Sequence, residues 1–332
     1  MRLTRFAAVL AAVVLLVTPA ACAKSPAAPA ASASAPVLTL YTSVTQNTVD
    51  AVMAGFTAMH PGAKVDVFRA TTGALNARIA ADQRSGGLRA DVIWGTDPLS
   101  MQSYADQHLL RAWPLPQASG VPADARTTYF WGTRRLFLVL VANKSLTPVP
   151  RTWSDLADPA YRGVVALPDP AAAGSAFAAL GYFSQAPGYG LDFYRRLKAN
   201  GATQVSTVPE VVTSVAQGRA KLGITLDSEV RDAVAKGSPV TMVWPADGAI
   251  SLYSPIAAPA RAAHPTAATA FLEYVLSTDG QQRIGKSGWQ PILSGVPGPA
   301  LPSGATSVSP NWTALLGQQR QLLQQYQSIF GA

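Results

Sequence analysis

Hydroxyl and carboxylate side chains gather at five places in this chain: Thr42-Ser43, Thr71-Thr72, Thr96-Asp97, Ser175 and Asp227-Ser228-Glu229. Each follows a short apolar run, and most stand where a helical pattern begins. A helix start leaves backbone N–H groups unpaired and carries a partial positive charge, which suits the oxygens of a phosphate or phosphonate. Gly73 and Gly174 would let the backbone come close to such a ligand. If the ligand also carries an amine, a carboxylate should face it, and Asp97, Asp227 and Glu229 are the candidates. Taken singly, each Thr or Ser reads more readily as a helix cap, and Asp227 and Glu229 as surface or capping carboxylates. Their recurrence at one rim is what points to a ligand.

Other chemistry finds little support. His60, His108 and His264 are far apart and show no ligand spacing, and Cys22 is the only cysteine, so no thiolate metal site or internal disulfide can form. The chain has no His-Glu-x-x-His, no Gly-x-Ser-x-Gly and no Ser-x-x-Lys, so nucleophilic schemes lack a base. Residues 280–287 match the P-loop pattern literally. That mechanism needs a strand before the loop and a helix after it, whereas an apolar helix precedes this stretch and Gly288 and Pro291 follow it. No catalysis and no cofactor are expected.

The hydroxyls need elements to hold them. Val37 to Tyr41, Lys64 to Ala70 and Asp91 to Trp94 read as strands, separated by helical patterns. Val49, Val52, Met53, Phe56 and Met59 form the first helical face. Leu136 to Ala142, Val164 to Leu167, Leu222 to Leu226 and Val240 to Trp244 continue the strand pattern; Ala267 to Leu276 and Leu315 to Phe330 read as helices, the last docked on the first lobe. Alternating strands and helices predict parallel α/β sheets, in which ligands bind beyond the carboxyl ends of the strands. The clusters come from both halves of the chain, so a cleft between two α/β lobes would collect them.

Length, 332 residues, suits about two domains. Residues 1–21 combine a basic start with a twelve-residue apolar run too short to span a bilayer. They read as an export signal ending at Cys22, in the manner of a bacterial lipoprotein whose cysteine is lipidated; an ordinary cleaved signal is the alternative. Pro19, three residues before Cys22, departs from the aliphatic residue usual there. Residues 22–36 are rich in Ala, Ser and Pro and read as a tether. The expected protein is therefore exported, periplasmic or on the cell surface. Its net charge of +8 falls by two once Arg2 and Arg5 leave with the signal. The remaining charges are dispersed, with Arg134-Arg135 and Arg195-Arg196 densest, so they read as a mildly basic surface and not as a nucleic-acid site.

Four stretches carry a family resemblance: Leu40 to Ser43, Thr71 to Ile79, Ala90 to Trp94, and His264-Pro265 onward to Ser277-Thr278-Asp279-Gly280-Gln281. In this order they resemble the extracellular solute-binding proteins of bacterial ABC importers, in the group that binds iron, thiamine, phosphonates and sugar phosphates. The resemblance implies two α/β lobes of the type II periplasmic-binding-protein kind, joined by two crossover strands near 131–138 and 247–256. Lobe one would be 37–130 plus 250–332 and lobe two 135–245. It implies a monomer that passes a small solute to a membrane permease, and the hydroxyl rim makes that solute an anion. Iron binders of this group place two adjacent tyrosines after the strand at Leu222 to Leu226; here Leu226-Asp227-Ser228-Glu229 stands there, and Tyr253 is alone. A 2-aminoethylphosphonate-like phosphonate or phosphate ester is therefore the expected ligand. Ferric iron or thiamine, the latter stacked on Trp94, Trp131 or Tyr253, is the alternative within the fold. A secreted phosphoester hydrolase is the alternative outside it.

Overall fold

The computed structural model describes residues 37–114 and 120–331; the expected signal, the tether and Cys22 lie outside them. The chain opens with β1 (Val37–Thr42), α1 (Gln46–Met59), β2 (Lys64–Arg69), α2 (Thr72–Arg84), β3 (Val92–Trp94) and α3 (Pro98–Asp106). Both β2 and β3 run parallel to β1, one on each side. Val49, Val52 and Phe56 of α1 are buried as the spacing predicts, but Met59 in the last turn is exposed.

A long strand, β4 (Trp131–Asn143), leads to β5 (Val165–Pro168), α4 (Gly174–Gln185), α5 (Gly190–Ala199), β6 (Thr203–Val205), α6 (Val208–Ala216), β7 (Leu222–Leu226), α7 (Asp227–Ala235) and β8 (Val240–Val243). The return strand is β9 (Ala249–Ala257), followed by α8 (Pro265–Val275), α9 (Thr278–Lys286), β10 (Gln290–Pro291), β11 (Ser307–Val308), α10 (Trp312–Leu315) and α11 (Gln319–Phe330). The sheet order is β2-β1-β3-β9-β4-β7-β5-β6, with β8 and β10 added to β4 and β11 to β9.

The two crossovers are β4 and β9. Residues 131–138 of β4 pair antiparallel with β9, and 138–143 pair with β7 and β8. One strand thus serves the hinge first and the second lobe afterwards. Its alternation fits double duty: Leu136, Leu138 and Leu140 enter the main core, while Phe137, Val139 and Val141 join Val211, Val215 and Val230 in a second one.

The Ser277 to Gln281 stretch has a structural job. Ser277 Oγ caps α9 by accepting from the Gly280 N–H at 3.1 Å. Gly280 packs where a Cβ would lie 2.2 Å from the Tyr274 carbonyl oxygen. The buried Gln281 amide donates to the carbonyls of Thr133 and Val275 at 2.9 Å and accepts from the Ile292 N–H at 2.8 Å. This amide fastens α9 to the hinge strand. The P-loop-like residues are therefore turns of a helix, with no phosphate loop among them.

The end of the chain departs from expectation in two ways. Gly317, at φ +76°, separates α10 from α11, so 315–330 is not one helix. And α11 makes its main contact with α5 of the second lobe, while its first turns lie beside α2 and α3 of the first. Tyr326 meets Tyr194 edge-on at 5.1 Å and stacks on Phe330 at 5.0 Å, which Lys198 covers. Periodicity reveals the apolar face of α11 but cannot say which surface receives it.

Candidate functional site

A cavity of about 320 Å³ lies between the lobes, where several helices begin. From the first lobe, Ser43, Thr45, Arg69, Thr71, Thr72 and Thr96 line it. From the second come Ala172, Ala173, Gly174 and Ser175 before and in α4, Thr207 and Val208 at the start of α6, and Leu226 and Glu229 around the start of α7. Arg134, Leu136 and Trp289 close it at the hinge. The N-termini of α2, α4 and α6 thus reach one cavity from opposite sides.

The predicted residues divide into two groups. Ser43 and Thr96 stand at the ends of adjacent strands, their hydroxyls 2.8 Å apart. Thr71 caps α2 by accepting from the Ala74 N–H. Thr72 Oγ1 accepts from the Gly174 N–H at 3.3 Å, and the Gly73 N–H donates to the Ala172 carbonyl at 3.2 Å, so the lobes touch where α2 and α4 begin. Ser175 and Glu229 complete the lining members of the predicted set. Thr42, Gly73, Asp97, Asp227, Ser228 and Tyr253 are absent from the lining.

Those outside have local duties. Thr42 is buried, donating to the Trp94 carbonyl at 2.8 Å and accepting from the Val44 N–H. Asp97 is buried and caps α3 through the Ser100 N–H at 2.8 Å; burial pushes its carboxyl up. Asp227 pairs with Arg231 Nη1 at 2.8 Å, and burial, more than that partner, sets the upward direction of its carboxyl. Ser228 Oγ is buried without a hydrogen-bond partner. Tyr253 packs against Gly132 and is buried, as are Trp94 and Trp131, whose indole N–H groups donate to Thr133 Oγ1 and to the Trp113 carbonyl.

Arg134, Arg69, Thr45, Thr207 and Trp289 are among the lining residues that local sequence patterns do not flag. The surface reading of Arg134-Arg135 holds for Arg135, which pairs with the exposed Asp124, but fails for Arg134, which is 1% exposed. A β-bulge between Gly132 and Arg134 shifts the register against β9 and re-aims the strand. The Arg134 guanidinium lies 4.0 Å above the Trp289 ring and makes one long hydrogen bond, from Nη1 to Thr48 Oγ1 at 3.4 Å. Its Nε is buried with no partner. Burial pulls this guanidinium down to about 9, opposed by the negative charge of Glu229. Glu229 is partly buried and its carboxylate makes no hydrogen bond to any described residue; burial pushes the carboxyl up. Arg69 Nε donates to the Val44 carbonyl at 2.7 Å. Among the described residues there is no group of three His, Cys, Asp or Glu able to hold a metal ion.

A family model described as bacterial extracellular solute-binding protein matches residues 38–290. The fold is that of AfuA from Actinobacillus pleuropneumoniae, a periplasmic binding protein with exogenous fructose-6-phosphate bound: TM-score 0.79 at 19% identity, over 88% of this chain and 98% of that one. The substrate-binding protein of an ABC transporter from Agrobacterium tumefaciens matches at TM-score 0.79 and 21% identity, over 90% and 96%. Iron-bound HitA from Pseudomonas aeruginosa matches at 0.77 and 20%, over 89% and 99%. An uncharacterized protein of Haemophilus influenzae is 28% identical over 150 residues, 45% of this chain and 43% of its own length. This chain thus matches less than half of that curated relative.

Proposed function

Because the chain belongs to the bacterial extracellular solute-binding proteins, we propose that it serves an ABC importer, capturing a small phosphonate or phosphate ester by closing its lobes and delivering it to a membrane permease. The observation that carries the ligand class is Arg134. A buried guanidinium with one long hydrogen bond is costly unless an anion completes it. The N-termini of α2, α4 and α6, with the hydroxyls of Ser43, Thr71, Thr72, Thr96 and Ser175, supply donors around the same cavity. Arg69 adds a second positive charge.

Asp97 and Asp227 are committed to a cap and an ion pair, which leaves Glu229 to face a ligand amine. A zwitterion of the 2-aminoethylphosphonate type satisfies Arg134 and Glu229 together. Ferric iron is disfavoured because the lining offers no phenol oxygen, Tyr253 being buried elsewhere. Thiamine is disfavoured because its cationic ring would meet Arg69 and Arg134, while Trp94 and Trp131 are packed away from the cavity.

Calorimetric titration with 2-aminoethylphosphonate, a hexose phosphate, inorganic phosphate, thiamine and ferric citrate tests this reading. Binding of the organophosphorus set, led by 2-aminoethylphosphonate, is expected. Binding of ferric ion alone overturns it, and turnover of a chromogenic phosphate ester would revive the hydrolase. A lipid anchor at Cys22 and a monomeric body at the membrane surface complete the proposal. The expected outcome is that the full chain partitions with membranes and Cys22→Ser does not; equal partitioning removes the anchor.

A further inference from the structure

We propose that Trp289 is a positioning residue for the ligand anchor: its ring holds the Arg134 guanidinium in the ligand-facing geometry. The inference rests on the anion-binding reading for its link to affinity, but the geometry stands by itself. A free arginine side chain has four rotatable bonds and needs several contacts to hold one pose. Arg134 has few. One long hydrogen bond to Thr48 fixes Nη1, the Nε has no partner, and among the described residues no carboxylate lies within ion-pair distance. The Trp289 ring, 4.0 Å from the guanidinium carbon, is the extended surface against which its plane rests.

The placement of Trp289 explains why it can do this. It sits between α9 and β10, and β10 pairs with β4 so that Pro291 stands opposite Arg134 and Gln290 opposite Arg135. Gln281 of α9 bonds the carbonyl of Thr133, the neighbour of Arg134, and the N–H of Ile292 on the far side of β10. Guanidinium, ring and supporting amide are therefore fastened to the hinge strand. The anchor keeps its aim whether the lobes are apart or together, and the lobes bring their helix starts to it.

The test uses the full chain with Trp289→Leu, Trp289→Phe and Trp289→Tyr, titrated with 2-aminoethylphosphonate, together with ¹⁵N spectra of the arginine Nε–H groups, the Arg134 signal being identified by its loss in Arg134→Lys. In the wild type that proton should be ring-shifted and slow to exchange. Leucine should abolish both properties and weaken binding at least tenfold, while phenylalanine or tyrosine should restore the slow exchange and bring affinity within about threefold of the wild type, the expected recovery of a ring contact. A leucine variant that keeps the slow proton and binds as tightly as wild type overturns the proposal. So does phenylalanine behaving like leucine, since packing volume and not the ring face would then matter. If no organophosphorus ligand binds the wild type, the functional reading fails, and the Nε–H signal still decides the role of Trp289.

Discussion

Replacing Arg134 with methionine should leave a well-folded protein that has lost about a hundredfold or more of its affinity for 2-aminoethylphosphonate. The size follows from hydrogen bonds to charged groups, each worth about 1.5–3 kcal/mol, with about 1.4 kcal/mol per tenfold in affinity. A guanidinium that gives two such bonds to a phosphonate accounts for two decades. The effect on folding should have the opposite sign from that of most core arginines. With the lobes touching at α2 and α4, this charge is 1% exposed, its Nε is unpaired and its one hydrogen bond is long. A shorter, apolar side chain removes that burden, so thermal unfolding should occur at the same temperature or higher. Arg134→Lys should fall between: the charge stays, but the planar fork and the stack on Trp289 are lost. Calorimetry and thermal unfolding on the three proteins check this. Binding by the methionine variant within threefold of wild type would show that the anion is held elsewhere.

The contrast between Arg134 and the hydroxyl rim shows what a sequence can carry. Thr71 and Ser43 announce themselves because their roles are local: a strand ends, a helix starts, and a small polar residue stands at the junction. The cap at Thr71 follows from a short-range pattern of this kind, whereas the crossing strands β4 and β9 are implied only by the family resemblance. Arg134 lies inside a strand where its neighbour Arg135 faces the opposite way, just after a register shift against β9. Its stacking partner Trp289 arrives through a two-residue strand far along the chain. No local pattern encodes that meeting. The carboxylates fail for the converse reason. Asp97 and Asp227 sit at junctions like the rest, yet the junction itself consumes them, one as a cap and one in an i,i+4 pair. Only Glu229, one helical turn's fraction further on, is left to the cavity. The C-terminal helix is similar: its face is legible, but that its main contact is α5 is set by tertiary structure.

Gly73→Ala should separate capture from folding. Gly73 is the second residue of α2 and lies outside the cavity lining, so the substitution touches no ligand. On an isolated helix, alanine is better than glycine by about 1 kcal/mol, and the unfolded chain loses freedom too. With the lobes apart, the variant should therefore unfold at the wild-type temperature or a little above. With the lobes together, the added Cβ would lie 2.5 Å from the Ala171 carbonyl oxygen across the cleft. That oxygen belongs to backbone held by the turn before α4, where the Ala172 and Ala173 N–H groups both donate to the Asp169 carbonyl, so it cannot swing aside as a flexible side chain would. The lobes must then stop short, the Gly73 N–H to Ala172 carbonyl bond is lost, and α2 and α4 no longer present their N-termini to one anion. Since apparent affinity scales with the fraction able to close, a penalty of about 1.4 kcal/mol or more costs tenfold or more. Small-angle scattering should show wild type contracting on ligand addition while the variant contracts less, with calorimetry recording the weaker binding. A variant that contracts fully and binds as wild type would mean that the α2–α4 contact is not the one that closure makes.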